Sequence, residues 1–124
     1  VLATPRPLRR APFASLHSLF VGFYDQLGAV TDDIAERVIQ LGGTPDGTTQ
    51  IIGEKTRLEA YPAELRDGMD HVKALTKRYA ALAKTVREGI DETDAAGDAD
   101  TADLLTGYSR TLDKALWMLE AHLG

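Results

Sequence analysis

The chain has 124 residues, 44% of them hydrophobic, with 19 acidic against 14 basic side chains, no cysteine and a net charge of −5. That length suits one domain, and the lack of cysteine excludes both a disulfide framework and a thiolate metal site. No apolar run approaches the length of a membrane span, and the acidic balance opposes general attraction to nucleic acid while suiting cation handling.

The first stretch, residues 1–12, reads VLATPRPLRRAP. Pro5, Pro7 and Pro12 prevent a continuous helix, since each lacks an amide donor and clashes with the preceding turn. The stretch has no apolar core of the kind a secretory signal carries, so a cytoplasmic protein is the default expectation. Arg6, Arg9 and Arg10 form a basic cluster that reads either as an arm for DNA phosphates or as an unstructured leader.

From Phe13 to Gly43 the pattern predicts one long helix. Leu16, Phe20, Phe23, Leu27, Val30, Ile34, Val38 and Leu41 recur at steps of three and four and build a single apolar stripe. His17, Asp32 and Glu36 fall roughly 100° to 200° away from that stripe, so they stand outside the core it builds. Asp32 and Glu36 are like charges one turn apart and repel each other. A hard cation between them would remove that cost; the plainer alternative is a solvated face, with Asp33 and Arg37 pairing alongside. His17 lies about 22 Å along the helix from Asp32, too far for one copy to join them on one ion. Two antiparallel copies about a twofold axis near Asp25 or Gln26 would bring His17 of one chain to Asp32 and Glu36 of the other. The face between them carries Val21, Tyr24, Gly28, Ala35 and Ile39, small or apolar enough to meet a partner helix. A lone surface histidine is the competing reading.

Gly42 and Gly43 end this helix. Residues 44–61 form a connection with a short helical piece around Thr48–Ile52, long enough for the helices on either side to run parallel. A second long helix is predicted from Ala63 to Asp94, with Pro62 at its start. Its stripe is Leu65, Met69, Val72, Leu75, Tyr79, Leu82, Val86 and Ile90, with His71 beside it as an exposed or hydrogen-bonded residue. The acidic turn DETDAAGDADTAD at 91–103 offers Asp98 or Asp100 as a cap for the last helix. That helix is expected from Thr101 to His122, with Leu105, Tyr108, Leu112, Leu116 and Leu119 as its stripe and Trp117 as a packing residue. There is no GxGxxG, P-loop or HExxH, and no spacing that suggests a nucleophilic triad.

The run LHSLFVGFYDQLGAVTDDIAERVIQLGG resembles the second helix of the Dps mini-ferritins, a family of ferritin-like iron-oxidising proteins. GTTQIIGEKTRLEAYP resembles the family's long crossover and TADLLTGYSRTLDKALWMLEAHL its last helix, so the likeness runs from Phe13 to Leu123 without a break. It implies an all-α, ferritin-like four-helix bundle, here with the first helix missing or altered. Residues 1–12 would be an irregular arm and residues 13–124 the Dps-type domain. The family's first helix would precede this domain, and either a true shortening or a truncated chain start accounts for its absence from the sequence.

The resemblance also carries a function. It implies a hollow homo-oligomeric shell, a dodecamer, that binds Fe2+ between twofold-related chains, oxidises it preferably with hydrogen peroxide, and stores ferric iron. His17, Asp32 and Glu36 match three of the family's five ligand positions and are the expected catalytic and metal-binding set. Pro5 stands where the family places a ligating histidine and Val21 where it places a ligating acid, which leaves a weakened ferroxidase as the expectation. Asp98, Asp100, Asp103 and Asp113 are candidates for a threefold pore through which Fe2+ would pass. The resemblance further implies protection of DNA, with a nucleoid-associated location an option and the arm at Arg6, Arg9 and Arg10 its weak DNA contact. Two other readings stay open: a non-catalytic shell or DNA-compacting protein with a decayed iron site, and a three-helix interaction module.

Overall fold

A computed structural model describes residues 13–124, and in it the apolar spacing becomes helix except at Leu41 and Leu65. The elements are α1 (Phe13–Gln40), α2 (Thr49–Lys55), α3 (Gly68–Ala95) and α4 (Ala99–Leu123), with no strand among the described residues. Their ends are set by local chemistry. Gly42, at φ 89°, lets the Gly43 N–H reach back to the Val38 carbonyl at 2.9 Å, and Gly97, at φ 80°, does the same for Asp98 N–H and Thr93. Both are the left-handed closure that glycine adopts without a Cβ penalty. Thr48 caps α2 by accepting from Ile51 N–H, and Asp98 caps α4 by accepting from Thr101 N–H.

Two differences from the sequence expectation change the apolar stripes. The second long helix starts at Gly68 rather than at Ala63, because Asp67 accepts the Met69 N–H and so nucleates the helix there. The preceding residues, Pro62 included, are spent as a strap laid on α3. Leu41 lies beyond the end of α1 and is exposed, so the stripe loses its last member.

α3 and α4 form the tightest pair, joined by the short Ala96–Asp98 turn and therefore antiparallel. Val72 and Ala83 of α3, with Leu112 and Leu119 of α4, are fully buried between them. α1 lies over this hairpin through Leu16 and Phe23, and the Phe23 ring meets that of Tyr79 with centroids 5.4 Å apart. The first turns of α1 and α3 are neighbours: a Cβ built on Gly68 would stand 2.6 Å from Leu16 Cδ1. α1 and α3 therefore run parallel, as the long crossover requires. Farther along α1, Phe20, Leu27, Val30, Ile34 and Val38 are only half-buried.

Trp117 corrects a second expectation: it is 67% exposed and packs into no core. One residue step turns a helix by about 100°, which carries Trp117 away from the buried line through Leu112 and Leu119. None of the described helices is long and apolar enough to cross a membrane.

The burial pattern predicts unequal costs along the stripes. Leu112→Ala should lower stability by about 2–5 kcal/mol, because it opens a cavity in a site with no solvent to refill it. Leu41→Ala should leave stability nearly unchanged. Urea unfolding of both variants at one fixed protein concentration checks the contrast.

Candidate metal-binding face

α1 places the sequence-predicted residues on its outer side. His17, Asp32 and Glu36 are all exposed, with His17 near one end of the helix and the two acids near the other. Among the described residues, no group of three or more His, Cys, Asp or Glu side chains comes close enough to hold a metal within one chain. The helix geometry thus separates the nitrogen donor from the oxygen donors. Between them the same face presents Val21 at 45% exposure and Tyr24 at 79%, and just past Glu36 it presents Ile39 at 60%. An apolar strip of that exposure, flanked by polar residues, is the surface chemistry of a contact site. His17 itself lies against Phe13, with ring planes 15° apart and centroids at 5.7 Å.

The acidic end of α1 is held by Arg37. Its Nε–H donates to Thr101 Oγ1 at 2.8 Å, one terminal nitrogen donates to Asp98 Oδ1 at 3.0 Å, and the other donates to Gln40 Oε1 at 3.1 Å. Arg37 therefore pairs with Asp98 across the bundle, not with Asp33 one turn back. The reason is that two acceptors at the start of α4, Thr101 and Asp98, meet the guanidinium together, with Gln40 of α1 taking the third N–H, and one side-chain pair along a helix is worth only a few tenths of a kcal/mol. Between the two helices runs a cleft of about 360 Å³ lined by Asp33, Glu36, Arg37, Gln40, Asp100 and Leu104. Glu36 thus borders both the outer face of α1 and this acidic cleft.

The remaining acids differ in how they are used. Asp98 is consumed as cap and ion-pair partner, and Thr101, by donating its hydroxyl and its N–H to it, holds the Asp98 carboxyl below the usual range, with Arg37 adding to the effect. Asp113 faces Arg87 of α3 at 3.7 Å. Asp100 and Asp103 are exposed on the first turns of α4. Pro5 and the Arg6, Arg9, Arg10 arm lie outside the described residues.

A second constellation escaped the sequence reading. The segment between α2 and α3 is clasped onto α3 by Tyr61, whose hydroxyl lies 2.6 Å from His71 Nδ1. His71 Nε2 faces the Leu65 carbonyl at 3.1 Å. Arg78 donates to the carbonyls of Ala74 and Ala60, and its guanidinium carbon stands 5.1 Å from the Tyr61 ring centre. Lys77 pairs with Glu59 at 2.8 Å. His71 and Arg78 are seven residues apart, about two turns, so they share a face. That spacing was legible; the arrival of Tyr61 between them was not.

Comparison with known proteins follows the same lines as the geometry. A ferritin-like domain family model matches residues 8–124. The DNA protection during starvation protein of Agrobacterium fabrum is 47% identical over 116 residues, covering 94% of this chain and 72% of that protein. Among solved structures, Dps from Listeria monocytogenes superposes with a TM-score of 0.88 at 29% identity, covering 96% of this chain and 78% of that one. Dps from Staphylococcus aureus gives 0.86 at 28% identity, covering 93% and 77%.

The charge on Asp98 carries a pH signature. Its folded-state pKa is depressed, so its contribution is present above the unfolded value of about 3.9 and is lost as pH falls through the folded value. Asp98→Asn keeps a capping side chain but removes the charge. The variant should be less stable than the parent at neutral pH, and the gap should close on acidification below roughly pH 4. Thermal melts across that range check it.

Proposed function

This chain belongs to the Dps family of ferritin-like proteins, and from that membership we propose that it binds Fe2+, oxidises it and stores the ferric product inside a homo-oligomeric shell. The observation that carries the proposal is the outer face of α1. It bears a nitrogen donor near one end, two carboxylates near the other, exposed Val21 and Tyr24 between them and exposed Ile39 just past Glu36. A twofold axis near Asp25 or Gln26 would cover the apolar strip and bring His17 of one chain to Asp32 and Glu36 of the other. Each dimer would then hold two equivalent sites, and a dodecamer would repeat them around a cavity. The names of the relatives support a role in protecting DNA during starvation, in keeping with removal of Fe2+ and of the peroxide that oxidises it.

In this mechanism the chain supplies ligands and surroundings, and iron is the substrate. His17 offers an imidazole nitrogen, Asp32 a carboxylate oxygen, and Glu36 an oxygen that can ligate or bridge. Water completes the coordination, since three protein donors do not fill the shell of a ferrous ion. Val21 stands where the family places a ligating acid and offers no lone pair. It dries the pocket, which raises the cost of a second, partly coordinated charge. One well-occupied ion per site, with slow peroxide-dependent oxidation, follows from that donor set. Asp100 and Asp103 at the start of α4, with Asp113 farther along, would draw Fe2+ toward a threefold pore by summing their fields over symmetry-related copies.

Three measurements test these roles. Light scattering should give an oligomer larger than a dimer. Calorimetric titration with Fe2+ should give one tight ion per site, weakened about tenfold or more in Glu36→Gln, since even outer-shell changes cost that much. Two tight ions per site, or oxidation indifferent to Glu36→Gln, would exclude the ligand assignment. For the pore, Asp103→Asn with Asp113→Asn should slow iron uptake at low salt, where surface fields are least screened, and leave the shell assembled.

A further inference from the structure

Hydrogen peroxide accepts two electrons, and one ferrous ion supplies one. A site that holds a single ion therefore needs a second electron from elsewhere at each encounter with peroxide. The protein's own side chains are candidates, and a phenol gives up an electron most readily when a base takes its proton at the same moment.

The described residues contain four tyrosines, Tyr24, Tyr61, Tyr79 and Tyr108. Burial pushes Tyr79 up to about 12 and raises Tyr108, and among the described residues neither donates to a base. Tyr24 is exposed and makes no hydrogen bond among the described residues, and neither does Trp117. Tyr61 differs from all of these. Because a carbonyl can only accept, His71 Nε2 must carry the proton it donates to Leu65. In the neutral imidazole Nδ1 is then the acceptor, and the Tyr61 O–H donates to it at 2.6 Å. Tyr61 is 40% exposed, and the covered part of its phenol still raises it against the opposing pull of Arg78, so at neutral pH it keeps its proton until an electron leaves.

We propose that Tyr61 and His71 form a redox site, in which Tyr61 donates the second electron to peroxide and His71 Nδ1 takes its proton. The proposal rests on the iron-oxidation reading above, which supplies peroxide as oxidant and Fe2+ as the first electron donor. In the first half, Fe2+ becomes Fe3+, Tyr61 becomes a neutral phenoxyl radical, the O–H proton moves to His71, and the O–O bond breaks to give two hydroxides. In the second half, a further Fe2+ returns an electron to the phenoxyl and His71 returns the proton. The balance is two ferrous ions oxidised per peroxide, reached one ion at a time.

The surroundings suit a stored oxidising equivalent. The phenol ring is held between His71, whose ring centre is 5.7 Å away, and the Arg78 guanidinium at 5.1 Å. Arg78 is fixed by its two backbone acceptors, and its charge disfavours a lasting imidazolium nearby, which favours return of the proton. The clasp also sits at the right end of the bundle. Gly68, three residues before His71, lies against Leu16, and Leu16 precedes His17.

The test uses the assembled protein loaded with one Fe2+ per site, mixed with peroxide and freeze-quenched for electron paramagnetic resonance. Wild type and Tyr108→Phe should show a tyrosyl radical; Tyr61→Phe, which keeps the ring under Arg78, should lack it. His71→Gln should form it roughly 100-fold more slowly, the low end for loss of a general base. In Tyr61→Phe the ferrous ions oxidised per peroxide should fall by half, and spin traps should collect hydroxyl radical. Iron oxidation with no radical, or a radical that persists in Tyr61→Phe, overturns the proposal. If wild type fails to oxidise iron, the functional reading fails separately. The pair is then decided on iron-free protein with photogenerated ruthenium(III) tris-bipyridyl as oxidant. A Tyr61 radical with a solvent deuterium effect that disappears in His71→Gln sustains it, and the absence of that radical overturns it.

Discussion

α1 has two faces to cover, and within the described chain only one of them finds a partner. Its inner stripe is met by α3 and α4 at Leu16 and Phe23, while Val21, Tyr24 and Ile39 on the outer face remain in water. At about 25 cal/mol per Å² of apolar surface, an uncovered strip of this kind is a standing drive toward association. The same face carries His17, Asp32 and Glu36. Coverage of the strip and completion of a metal site are therefore one event in the proposed assembly, and a monomer would have neither.

The packing of α3 on α4 is what allows α1 to be used in this way. The hairpin closes through a glycine turn, and Val72, Leu112 and Leu119 are completely buried in a core that Leu16 and Phe23 of α1 complete. α1 is then held at its two ends, by Leu16 beside Gly68 and by Arg37 on the cap of α4. Pinning both ends fixes the helix's rotation about its own axis. That rotation decides whether the donors point outward or into the bundle. Arg37 and Glu36 are adjacent residues, one turned to the α4 corner and the other toward the acidic cleft and the outer face.

The crossover follows a different rule. α2 contributes no buried residue, and its connection to α3 is held by polar contacts: Lys77 with Glu59, Arg78 with the Ala60 carbonyl, and Tyr61 with His71. Such contacts contribute little each to net stability, but they set geometry closely.

Much of this was legible in the sequence, and the rest was not for identifiable reasons. The three long helices follow from apolar residues at steps of three and four, and the turn at Gly97 and the cap at Asp98 follow from local chemistry. The separation of His17 from Asp32 and Glu36 follows from helical rise alone. The start of α3 was misplaced, because a proline favours a first turn but the Asp67 cap and the strap over Arg78 outweighed it. Trp117 stands one position from the stripe and so reads as a packing residue, whereas its exposure depends on which side of α4 meets α3. Arg37 reached Asp98 instead of Asp33, and Tyr61 reached His71, across 61 and 10 residues of chain. Periodicity reports which way a side chain points from its own helix axis. It carries no information about what stands opposite, and only the tertiary packing of distant segments decides that.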